Sequence, residues 1–90
     1  MKQTAQCKYT PLENFLRLIS ANHTLLTLSF EQIEQSMQNK LPKSAYLRLS
    51  WWDNVVCSRL SHKHAWLHAG WQVEMVDLSG KWVRFIRTMQ

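Results

Sequence analysis

With only two glycines, Gly70 and Gly80, the 90-residue chain cannot build a glycine-rich phosphate loop, and it contains no nucleophile elbow. Its two cysteines, Cys7 and Cys57, form no C-x-x-C, which excludes a disulfide framework and a dithiol redox motif. Acidic residues are scarce, six against eleven Lys and Arg. Asp53, Glu74 and Asp77 are scattered, and a metal-dependent nuclease needs its carboxylates together. No apolar run approaches the roughly 20 residues that cross a bilayer, and no basic-then-apolar leader opens the chain. These absences lead us to expect a soluble, cytoplasmic, non-catalytic domain without a cofactor and without membrane contact.

What is present is tryptophan and positive charge. Five Trp and a hydrophobic content of 46% suffice for one small core. Charge is uneven along the chain. Lys2, Lys8 and Arg17 cancel Glu13, Glu31 and Glu34, so all of the net charge of +5 lies from Lys40 onward. Such asymmetry is the electrostatic footprint of a polyanion binder, because each neutralised phosphate releases condensed counterions. It equally describes a solvated basic face.

The chain divides into a polar arm over residues 1–9 and a single domain over 10–90. Thr10-Pro11-Leu12-Glu13 has the pattern of a capping box, and Leu12, Phe15, Leu16 and Ile19 make one apolar helical stripe, with Asn22 as a left-handed stop. Thr24 to Leu28 reads as a brief strand. Ser29-Phe30-Glu31-Gln32 repeats the capping chemistry and opens a second helix, carrying Phe30, Ile33 and Met37, that ends before Pro42. Ser44 is placed to cap a short helix through Leu49, followed by a Trp51-Trp52 plug and a turn at Asp53-Asn54. Ser58 or Ser61 opens a further helix containing Leu60, Ala65, Trp66 and Leu67 and ending at Gly70. Alternation of Trp71, Val73 and Met75, and again from Trp82 to Arg87, predicts a hairpin bending at Gly80.

The fold class expected from this order is α+β, a winged helix-turn-helix-like arrangement. A helical core carries a C-terminal two-stranded hairpin, and the short strand joins that hairpin in a small sheet.

Leu26-Thr27-Leu28-Ser29-Phe30-Glu31-Gln32-Ile33-Glu34, Leu41-Pro42-Lys43-Ser44-Ala45, Trp51-Trp52-Asp53-Asn54 and Ala65-Trp66-Leu67-His68-Ala69-Gly70-Trp71 together resemble an uncharacterised family of small bacterial domains. The resemblance runs from about Tyr9 to Arg87. It implies a recurring compact fold and carries over no catalytic residue.

In a winged helix, one helix enters the major groove while the hairpin wing lies along the backbone. Lys43 and Arg48 mark one candidate recognition helix. Arg59, His62 and Lys63 mark a later one, expected to be longer, capped and continuous with the wing, and therefore preferred. Lys81, Arg84 and Arg87 are the expected phosphate contacts of the hairpin. The partner expected is nucleic acid, duplex DNA before RNA.

Trp51, Trp52 and Trp82 support a rival reading. They are candidate contacts of a protein-interaction module, such as a phage or plasmid inhibitor or an adaptor in a defence or regulatory complex. His64 and His68 share the i, i+4 spacing of zinc ligands, with Cys57 as a third group, but no acidic fourth ligand accompanies them, so no metal is expected. A small ribonuclease using His as acid and base lacks the rest of its machinery.

Overall fold

Ser29 closes a strand and opens a helix in one step. Its hydroxyl accepts the Gln32 N–H at 3.0 Å while the Gln32 side chain accepts the Ser29 N–H at 2.8 Å, a reciprocal capping box as the sequence predicts. The computed structural model describes residues 9–56 and 61–88. In chain order it contains α1 (Thr10–Arg17), β1 (Leu25–Ser29), α2 (Phe30–Met37), α3 (Lys43–Leu47), a 3-10 turn (Leu49–Trp52), α4 (His64–Leu67), β2 (Trp71–Asp77) and β3 (Trp82–Arg87). The described residues thus form a small α+β unit whose antiparallel sheet has the order β1-β3-β2.

Several local expectations need correction. The capping box at Thr10 is not made: α1 begins one residue earlier than that box requires, with Tyr9 as N-cap and no side-chain cap. Glu13 instead pairs with Arg17 one turn on, at 2.7 Å. Asn22 is not left-handed, since the non-glycine residues with positive φ among those described are Gln38 and Lys81. Pro42, not Ser44, is the N-cap of α3. Tyr9, assigned to the arm, packs its ring near Trp51 and His62 with centroids 6.0 and 5.7 Å away.

A column of rings runs through the core. Phe30 stacks on Trp52 at 5.0 Å, Trp52 on Trp66 at 5.7 Å, and Trp66 meets Phe85 at 5.8 Å. Leu12 and Leu16 of α1, Ile33 and Met37 of α2, and Val83 close around it, all buried, while Phe15, Ile19, Leu67 and Val73 flank it half-buried. Each buried indole N–H has an acceptor: Ala45 O for Trp52 at 2.8 Å, Asn54 Oδ1 for Trp66 at 3.2 Å, and Leu16 O for Trp71 at 3.1 Å. Large aromatic area is therefore buried here without an orphaned donor.

The sheet has one inward and one outward face. Leu28, Val83 and Val76 form a paired row, as do Leu26, Phe85 and Val73, and these rows face the helices. Thr27, Arg84 and Met75 are in register on the other side. Strict alternation over β2 fails because a bulge at Glu74 shifts the register between Val73 and Met75. The extra residue turns Met75 outward and Val76 inward.

Candidate nucleic-acid interface

The helix expected to read nucleic acid is a short one. α4 spans His64–Leu67, with no side-chain cap from Lys63, and Ala65 and Trp66 belong to the core. The segment before it is drawn into other bonds. His62 Nε2 reaches the Trp51 carbonyl at 2.7 Å, and the Ser61 hydroxyl accepts the Lys63 N–H at 3.1 Å. α4 ends at Leu67 with His68 as its C-cap, short of the stop predicted at Gly70, although Gly70 itself, at φ +91°, takes the left-handed conformation that favours glycine. Cys57, Ser58, Arg59 and Leu60 lie outside the described residues, so the Arg59 contact and the Ser58 cap do too.

Among the described residues, two of the expected contact cations, Lys63 and Arg87, are committed to the fold. Lys63 Nζ forms an ion pair with Asp53 and donates to the Val55 carbonyl at 3.0 Å, leaving its side chain 13% exposed. Arg87 lies on the inward face of β3. Its guanidinium sits 4.1 Å over the Trp71 ring and donates to the carbonyls of Ser20 at 2.6 Å, Ile19 at 3.3 Å and His23 at 3.1 Å. It thereby satisfies carbonyls beyond the C-terminus of α1, which have no helical partner of their own. Arg84 points outward, 3.6 Å from Glu74 and 5.5 Å over Trp82.

Lys43, Arg48 and Lys81 differ from these. All three are exposed, and none forms an ion pair among the described residues. Lys40 is exposed beside them in sequence. Phe30 links the two segments that carry them: its N–H donates to the Lys81 carbonyl at 2.8 Å, and its ring meets Tyr46 of α3 edge-on at 5.1 Å. Glu34 ties α3 to α2, accepting from the Tyr46 hydroxyl at 2.8 Å and from the Leu41 N–H at 2.9 Å. Burial and that carboxylate push the Tyr46 hydroxyl up to about 12.

The hairpin turn departs from expectation in one detail. Lys81, not Gly80, takes the left-handed conformation, at φ 60°. Gly80 is required by proximity, because a Cβ there would stand 2.8 Å from Trp82 Nε1. Asp77 orders the turn by accepting the Gly80 N–H at 3.0 Å, and that bond holds its carboxyl below the usual range.

A family model for a domain of unknown function, DUF7662, matches residues 9–88. The chain belongs to that family. No curated protein and no solved structure matches it. The match agrees with the small uncharacterised domain family expected from the sequence.

Within this DUF7662 domain, Trp52 is fully buried, so a partner cannot touch its ring in the folded state. Trp51 is half-buried under His62, and Trp82 is half-buried against Gly80. The His64 and His68 rings stand 4.4 Å apart. Among the described residues, no group of three or more His, Cys, Asp or Glu is placed to hold a metal ion. No helix among them is long and apolar enough to cross a membrane.

Two features escaped the sequence reading. Leu47 and Leu49, on either side of Arg48, are exposed instead of packed. Asn54, read as a turn former, bonds both backbone groups of Val73: its Nδ2 donates to the carbonyl at 3.0 Å, and its Oδ1 accepts the N–H at 2.9 Å. Asn54 thus stands in for a strand at the β2 edge. Nothing local in the sequence marks the second.

Proposed function

We propose that this domain is a winged-helix-like, non-catalytic, cytoplasmic protein that binds nucleic acid, with duplex DNA as the partner. The order α1, β1, α2, α3, 3-10 turn, α4, β2, β3 with a β1-β3-β2 sheet supports the winged-helix part, because a helix-turn-helix pair precedes a hairpin wing, with the 3-10 turn and α4 inserted between them. α3 takes the recognition role in place of the later segment, and the turn at 78–81 is the tip of the wing.

The observation that carries the reading is the exposure of Lys43, Arg48 and Lys81 on two segments joined through Phe30. These cations are free to meet phosphates, and Arg84 adds a partly engaged fourth from the outward face. Lys63 and Arg87 act as structural cations in this reading.

Fluorescence anisotropy with a labelled 20-base-pair duplex at 50 and 200 mM salt tests it. Three phosphate contacts give a slope of log affinity against log salt of about −3. Binding that is absent, or insensitive to salt, contradicts the reading.

A protein-interaction module is favoured by a separate observation. The outward sheet face carries Leu25, 51% exposed, and Met75, 50% exposed, around the half-buried Ile86 and Arg84. A protein partner lost on changing Leu25 or Met75, with no binding of bare duplex, supports that alternative.

A further inference from the structure

Leu47 is 70% exposed and Leu49 60%, and Arg48 lies between them. The chain turns a corner here. α3 ends, and Arg48 is extended at φ −130°, ψ 125° before the 3-10 turn begins. The corner is held from both sides: the Arg48 N–H donates to Ser44 O at 2.9 Å, the Trp51 N–H to Arg48 O at 3.2 Å, and the buried Trp52 indole to Ala45 O at 2.8 Å. Because the backbone is pinned, the two leucines stay in water and cannot fold back onto the core.

Charge narrows what they meet. Residues 40–52 contain Lys40, Lys43 and Arg48 and no acid, so the complement of this corner is anionic and also offers small apolar groups. The major groove of A·T-containing DNA has both properties, phosphates along its rims and thymine C5-methyl groups on its floor. Duplex RNA lacks the methyl group, and its deep, narrow major groove excludes side chains.

We infer that Leu47 and Leu49 contact thymine methyl groups in the DNA major groove while Lys43 and Arg48 hold the flanking phosphates. The inference rests on the nucleic-acid reading and deepens it, assigning DNA over RNA and giving the domain a preference at thymine.

Two duplexes of alternating A·T sequence, one with thymidine and one with deoxyuridine throughout, differ in the methyl groups and carry the same charge. In anisotropy titrations the wild-type protein binds the deoxyuridine duplex about fourfold more weakly per methyl contacted, from about 0.8 kcal/mol for each buried methyl-sized group. The Leu47→Ala/Leu49→Ala variant binds both duplexes equally and keeps the wild-type salt slope. Its melting temperature stays at the wild-type value, since both side chains are exposed.

Equal wild-type affinity for the two duplexes, or discrimination retained by the double variant, overturns the inference and leaves phosphate binding standing. Absence of salt-dependent binding to either duplex overturns the nucleic-acid reading and the inference with it.

Discussion

The His62 imidazole lies flat on the Trp51 indole, with ring centroids 3.7 Å apart and planes 12° from parallel, and its Nε2 donates to the Trp51 carbonyl at 2.7 Å. A carbonyl only accepts, so Nε2 carries the hydrogen and the ring needs no second proton. Tyr9 and Trp66 supply further ring contacts, at 5.7 Å each, while Lys63 and Asp53 are the charged groups acting on it. Burial holds the His62 pKa below its ordinary value of 6.5, the neighbouring Lys63 charge acts in the same direction, and the carbonyl bond partly offsets them.

Below pH 6.5 the unfolded chain therefore takes up a proton at His62 that the folded chain resists. Stability is full above that value and falls as pH drops through the folded pKa. The urea midpoint of the wild type is predicted to fall between pH 7.5 and 5.5. A His62→Gln variant is less stable at pH 7.5 but shows a smaller fall over the same interval. The Asp53 carboxyl, held low first by its bond to Lys63, gives a separate loss as pH falls below its ordinary 3.8, and a Lys63→Met variant, whose Asp53 pKa returns toward the unfolded value, shows a smaller loss over that range.

Asn54→Ala removes an acceptor for two N–H groups, those of Val73 and Trp66, and a donor to the Val73 carbonyl. Leaving buried or half-buried groups unpaired costs about 1–3 kcal/mol each before water or relaxation compensates. We expect a loss of about 2–4 kcal/mol by urea denaturation, large for a domain of this size. Asn54→Asp keeps the shape but loses the Nδ2 donor, so it does not restore stability.

Lys81 occupies a left-handed backbone conformation that glycine adopts more readily. Lys81→Gly relieves that strain, and the melting temperature is predicted to hold or rise while duplex affinity falls. Gly80→Ala acts in the opposite way. Its Cβ displaces the Trp82 indole, lowering stability by about 1 kcal/mol and changing tryptophan emission, with the charge of the turn intact.

The parts legible in the sequence are those settled within a few residues. Ser29 and Gln32 bond each other across one turn, so their pattern identifies the start of α2 directly. Gly70 likewise reports its own backbone. Thr10 has the same pattern and fails, because α1 starts a residue too soon and Glu13 has a competing partner in Arg17. The bulge at Glu74 follows from how β2 meets β3, and no alternation rule contains it. Cations are the least legible. Lys43 and Lys63 look alike as residues, yet Lys63 is engaged by an aspartate ten positions away, and Arg87 by carbonyls more than sixty positions away. Which positive charges remain free is a property of the tertiary structure, and it is why the proposed nucleic-acid surface lies on α3 and not on the later segment.

The most direct test compares salt slopes across four single variants on one 20-base-pair duplex. Lys43→Ala and Arg48→Ala are predicted to flatten the slope by about one unit each at unchanged melting temperature. Lys63→Ala and Arg87→Ala should lower the melting temperature and leave the slope of the folded protein unchanged. Slopes that respond to Lys63 or Arg87 and ignore Lys43 and Arg48 would contradict the assignment of α3 as the nucleic-acid surface.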